Sequence, residues 1–125
     1  MTAGHLAYAT ERCAPAKGTK MHSGESSIWD MRIHFSPEQV PLNTPFQAII
    51  SICSQTETMP NKLAINAIMP AHKHGMNYKP TITRVDDRTY QINNLVFHMP
   101  GIWRLEVTAY TNATPHRFSH EMDLH

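Results

Sequence analysis

From Ser27 onward the chain alternates in hydrophobicity with a period of two: Trp29, Met31, Ile33 and Phe35 fall on one side, Ile28, Asp30, Arg32 and His34 on the other. Successive side chains of a strand point to opposite faces, so this pattern predicts a half-buried strand. Pro37, Pro41 and Pro45 punctuate a loop before Phe46, Ala48, Ile50 and Ile52 resume the same period, with Ile49 facing outward. Lys62 to Ile68 predicts a third strand. Thr81–Val85 and Thr89–Leu95 flank the acidic turn Asp86-Asp87-Arg88 and predict a hairpin. Ile102–Tyr110 predicts another strand, with Trp103, Leu105, Val107 and Ala109 on its inner face. No window carries a helical period, and nine prolines argue against long helices. About seven short strands separated by turn signals make an all-β antiparallel sandwich.

The flanks read differently. Residues 1–26 hold Gly4, Pro15, Gly18 and Gly24 without periodicity and predict an irregular N-terminal arm. Residues 27–111 form the sandwich domain. Residues 112–125 form a polar tail with His116, His120, Met122 and His125, read either as a flexible accessory ligand arm or as a frayed terminus. The triplet Asn112-Ala113-Thr114 matches a glycosylation sequon, a pattern common by chance.

Composition narrows the function classes. A chain of 125 residues suffices for one domain with its own core. Eleven Lys and Arg against ten Asp and Glu leave a net charge of +1 with no long run of either sign, which argues against a nucleic-acid partner. No segment approaches the roughly 18 apolar residues of a membrane-spanning helix. The opening Met-Thr-Ala-Gly-His lacks the charged-then-apolar pattern of an export leader, so a signal peptide or membrane tether of the native protein would lie outside this chain. The outlying feature is donor content: nine His and eight Met.

Those donors cluster. Met69-Pro70-Ala71-His72-Lys73-His74-Gly75-Met76 is answered downstream by His98-Met99-Pro100-Gly101. In an extended segment His72 and His74 point the same way, and Gly75 permits a turn that returns Met76 to the same centre. His98 and Met99 can both join only if the chain turns at Pro100-Gly101. Imidazole with thioether, and few carboxylates, suits copper, with Cu(I) favoured by the soft sulfur and Cu(II) as the other candidate state. His72, His74, Met76, His98 and Met99 are therefore the candidate metal ligands. Met69 and Met99 have a competing reading as core residues packed near Trp29 or Trp103. The remaining histidines, among them His5, His22 and His34, read as structural or solvated. Zinc would want three firm His or carboxylate ligands and a general base, and no such acid stands out.

Cys13 and Cys53 stand alone, outside any Cys-x-x-Cys motif. Paired, they would staple the arm to a strand and imply an oxidising compartment; the alternative is two free thiols. A disulfide would leave no thiolate for copper, which favours carriage or storage over electron transfer. No phosphate loop, nucleophile elbow or zinc-protease helix occurs, so no enzymatic activity is expected. Ile28, Ile49 and Tyr78 are candidates for a partner surface.

The segments Met69-Pro-Ala-His-Lys-His-Gly-Met-Asn-Tyr-Lys-Pro80 and Leu95-Val-Phe-His-Met-Pro-Gly-Ile-Trp103 resemble those of YtkA-like/FixH-like bacterial extracytoplasmic domains. The likeness spans about Trp29 to Tyr110. It implies an immunoglobulin-like (cupredoxin-like) sandwich in the periplasm or another extracytoplasmic space, associated with copper handling or oxidase assembly. It carries the family's two motifs onto Met69–Met76 and Phe97–Gly101. The expectation is a copper-binding protein that exchanges Cu(I) with a donor or acceptor protein, as a monomer or a ligand-sharing dimer. The alternative is a metal-free module assisting assembly of a respiratory oxidase or other membrane complex.

Overall fold

The computed structural model describes residues 17–24, 28–72, 74–76 and 79–125, without the side chain of His74; Cys13 and Tyr78 lie outside the described residues. Among the described residues ten strands follow in order: β1 (Thr19–Lys20), β2 (His22–Ser23), β3 (Trp29–Ser36), β4 (Phe46–Ser54), β5 (Lys62–Met69), β6 (His74–Gly75), β7 (Thr81–Arg84), β8 (Thr89–Leu95), β9 (Gly101–Thr111) and β10 (Thr114–Leu124). They form two antiparallel five-stranded sheets, ordered β1-β3-β4-β8-β7 and β2-β10-β9-β5-β6. The architecture is an immunoglobulin-like β-sandwich with one core between its sheets.

The period of two sets that core. Trp29, Met31 and Ile33 of β3, Phe46, Ala48, Ile50 and Ile52 of β4, and Trp103, Leu105, Val107 and Ala109 of β9 are all buried. Their alternating neighbours Asp30, Arg32, His34 and Ile49 sit half-buried on the outer side. Ile28, placed outward by the alternation, instead packs against the core, because the strand begins only at Trp29 and Ile28 precedes its pleat.

Three expectations need correction. The predicted tail is β10, which pairs with β9 over its whole length from Thr114↔Thr111 to Leu124↔Gly101. Its residues His116, Phe118, His120 and Met122 share one parity and oppose the inward Ala109, Val107, Leu105 and Trp103. The strand's inward face is thus partly imidazole, which masked its period. Second, the described part of the arm, Lys17 to Gly24, makes two short strands. β1 pairs with β3 and β2 with β10, so the chain steps from one sheet to the other across buried Met21 and closes that side of the sandwich. Gly18 makes the approach feasible: its φ is +101°, and a Cβ there would collide with the Ile33 carbonyl oxygen. Third, the strand count exceeds seven, since the two-residue strands β1, β2 and β6 carry too few positions to register as a period.

The β9–β10 turn is Asn112-Ala113, with Asn112 at φ +56°. An asparagine tolerates that left-handed conformation better than most residues. The sequon is therefore an exposed tight hairpin turn.

Candidate metal centre

β5 delivers the first motif to the end of the second sheet. Its last residue, Met69, is 1% exposed and belongs to the core. Pro70 and Ala71 turn the chain, with the His72 amide donating to the Met69 carbonyl at 3.1 Å. β6 then folds back on β5, Met69 opposite His74 and Ile68 opposite Gly75. His72 is exposed in the turn, whereas Met76 is half-buried and packs on the core edge.

β9 delivers the second motif to the same end. It pairs with β5 from Lys62↔Tyr110 to Ile68↔Arg104. Continued by one residue, that register sets Met69 beside Trp103, with Gly101 at the start of β9 just beyond. The contact is direct: a Cβ built on Gly101 would come within 2.8 Å of the Met69 methyl. Two segments some thirty residues apart in sequence are thus neighbours across one ladder.

The tertiary structure divides the methionines. Met69 is a packing residue whose terminal methyl lies under Gly101. Met99, 37% exposed, lies outside the core cluster. His98 is half-buried with its ring edge-on to Trp103, centroids 5.6 Å apart at 73°. Trp103 donates its indole N–H to the Met99 carbonyl at 2.9 Å and stacks on Phe97 at 4.6 Å and 14°. The turn that holds His72 and the segment that holds His98 and Met99 therefore lie at the same end of the second sheet, with His72 and Met99 exposed and His98 half-buried.

No protein-family model and no curated protein matches the chain. Among solved structures, a DUF4785 family protein from Legionella pneumophila superposes with a TM-score of 0.56 at 16% identity, over 80% of this chain and 29% of that one. A DUF4426 family protein from Pseudomonas aeruginosa gives 0.53 at 7% identity, over 84% of this chain and 94% of that one. At such identities the likeness is one of fold. This chain spans under a third of the Legionella protein, 29% of its length.

The donor chemistry of the end region is unusual in being poor in acids. Among the described residues no group of three or more His, Cys, Asp and Glu side chains is placed to hold a metal. An ion seated here would need thioether sulfur or His74 in addition to His72 and His98. That donor set fits a soft, thiophilic ion better than a hard one.

Two further histidines, His116 and His120, pack on the inward side of β10. His116 lies edge-on to Trp29, centroids 4.9 Å apart, and its Nε2 is 3.0 Å from the Thr111 hydroxyl. His120 faces Phe35 at 5.8 Å, and burial pulls its pKa below the usual imidazole value. These two cannot form a mobile ligand arm while β10 is paired. The signal for them was the alternation His116-Phe118-His120-Met122, legible once histidine is allowed on an inward face. Cys53 is half-buried on β4, and Cys13 lies outside the described residues.

Proposed function

We propose that this chain is an extracytoplasmic copper-binding β-sandwich that holds Cu(I), and accepts Cu(II) less readily, at the end of its second sheet. His72, His74, His98 and Met99 are its ligands, with Met76 completing the set by a movement of its side chain off the core edge. One observation carries the reading: the β5–β9 pairing converges the two His/Met segments, so close that the Met69 methyl abuts Gly101. The likeness of both motifs to YtkA-like/FixH-like domains supports the same assignment. The chemistry is binding and release to a donor or acceptor protein, with no bond made or broken in a substrate. Exposure of His72 and Met99 suits such exchange, because an incoming protein can reach the donors.

The compartment belongs to the same proposal. A Cys13–Cys53 disulfide would fix the N-terminal residues to β4 and would persist only where thiols are oxidised. Copper then meets thioether and imidazole without thiolate competition, which favours the cuprous state.

Titration of Cu(I) against a competing chelator tests the function. The expected result is one equivalent bound more tightly than micromolar, and loss of that binding in a variant carrying His72→Ala, His74→Ala and His98→Ala. Substoichiometric or merely micromolar uptake, unchanged in the triple variant, would refute it. A metal-free docking role is favoured by one observation: Met99 and Ile102, 37% and 51% exposed, flank the histidines with apolar surface. That role predicts capture of a membrane-complex subunit that survives chelator yet is lost on Met99→Ser with Ile102→Ser.

A further inference from the structure

One side chain touches three consecutive residues of the second motif. Trp103, 0% exposed, stacks on Phe97, meets the His98 ring edge-on and donates its indole N–H to the Met99 carbonyl. The indole is itself clamped. Its neighbour across β10 is Met122, and the Phe97 it stacks on is tied to the opposite loop by the Asn43 amide, which donates to the Phe97 carbonyl at 2.8 Å. An aromatic ring packed in a core sits in one rotamer, so groups seated on it inherit that rigidity.

We propose that Trp103 is the positioning residue of this centre: it orients the His98 imidazole through its ring and the Met99 main chain through its N–H. The proposal rests on the assignment of His98 and Met99 as ligands. Trp103 touches no metal, being wholly enclosed. It acts as the outer support that metal-ligating histidines ordinarily find in a carboxylate or carbonyl, and loss of such support typically weakens a site by about 10- to 100-fold. Here the support reaches two adjacent ligands at once. A strand alone would throw neighbouring residues 98 and 99 to opposite sides; an indole bonded to one backbone and packed on the other's ring fixes a non-strand geometry for both.

The test uses the full chain, Ag(I) as a redox-silent probe, and Trp103→Phe, which keeps a flat ring for Phe97 and His98 but removes the donor. In the metal-free chain, the His98 imidazole and Met99 methyl NMR signals are expected to shift or broaden in the variant while those of His72 stay in place. With Ag(I), the variant is expected to keep a stoichiometry of one and lose about 10- to 100-fold in affinity. Unchanged His98 and Met99 signals, or an affinity within twofold of the parent, would overturn the proposal. Failure of the parent chain to bind Ag(I) would instead remove the ligand assignment, and the metal-free spectra would still decide whether Trp103 orients the two residues. Should Trp103→Phe not fold, the indole N–H signal of the parent decides: it is expected to move on adding one equivalent of Ag(I), and a fixed indole beside shifting His98 and Met99 signals would overturn the proposal.

Discussion

Gly101 is where the second motif is most exposed to a small perturbation, and Gly101→Ala has a predictable consequence. Its φ of +130° lies in a region that residues with a Cβ rarely enter, at a cost of about 1–3 kcal/mol. The new methyl would also lie 2.8 Å from the Met69 methyl. A methionine tip is adaptable, but Met69 is 1% exposed and has little space to retreat. Overpacking of this kind costs about 1–3 kcal/mol, and the lower part of that range applies to a flexible end. Together the two effects amount to about 2–4 kcal/mol, reduced by several tenths because alanine stiffens the unfolded chain. For a domain of this size about 1 kcal/mol corresponds to roughly 4 °C, so the thermal midpoint is expected to fall by roughly 8–16 °C. Urea unfolding followed by far-ultraviolet dichroism measures the free energy directly, and repeating it with Met69→Val in both backgrounds isolates the contact. Gly101→Ala should be less costly beside valine, by about 1 kcal/mol. A loss below about 0.5 kcal/mol would mean that this backbone tolerates a side chain, and strict additivity with Met69→Val would mean that the methyl contact is not felt.

Other predictions concern charge and covalent ties. His120 has a folded pKa below its ordinary 6.5 because burial disfavours the imidazolium; the unfolded chain then binds that proton more readily, so its contribution is intact above about pH 7 and lost as the pH falls through 6.5 and the folded value. His120→Phe should flatten the decline in stability between about pH 7 and 5, and parallel curves for parent and variant would contradict the assignment. Arg104 reaches Glu121 across β9 and β10 at 3.1 Å on the outer face. Because the pair is solvent-accessible, a double-mutant cycle should yield only about 0.2–1 kcal/mol, shrinking in high salt; a coupling of several kcal/mol would show it to be far better shielded than its exposure indicates. If Cys13 and Cys53 are bonded, the loop of about 40 residues predicts that reduction lowers stability by about 4 kcal/mol, read as a drop in urea midpoint on adding reductant; two thiols titrating in unreduced protein would refute the bond.

The strands were largely legible because alternation is local. Trp29 to Phe35, Phe46 to Ile52 and Trp103 to Ala109 each declare an apolar face through their own residues, and those faces are buried together. β10 was not legible by the same rule: His116, His120 and Met122 occupy inward positions that a hydrophobicity pattern scores as polar or mixed. Nor was the order of the arm, since Gly18 to Ser23 makes only two residues of pairing with each sheet and is held by the buried Met21 between them.

The His/Met segments divide in the same way. Their donor types and spacings follow from the chain as written, and so does the turn marked by Pro100-Gly101. Which donors are accessible was settled only by packing. Met69 and Met99 have equivalent local contexts, each ahead of a proline, yet one ends a strand pointing into the core and the other stands exposed in a loop beside the half-buried His98. A period of two identifies two faces without stating which neighbour each will meet; the β5–β9 register supplies the neighbour, and with it the contact between Met69 and Gly101 and the seat of His98 on Trp103. The chain's own pattern thus determined strands, faces and donor chemistry, whereas long-range pairing decided which donors meet at one end and which are spent in the core, because burial depends on partners distant in sequence.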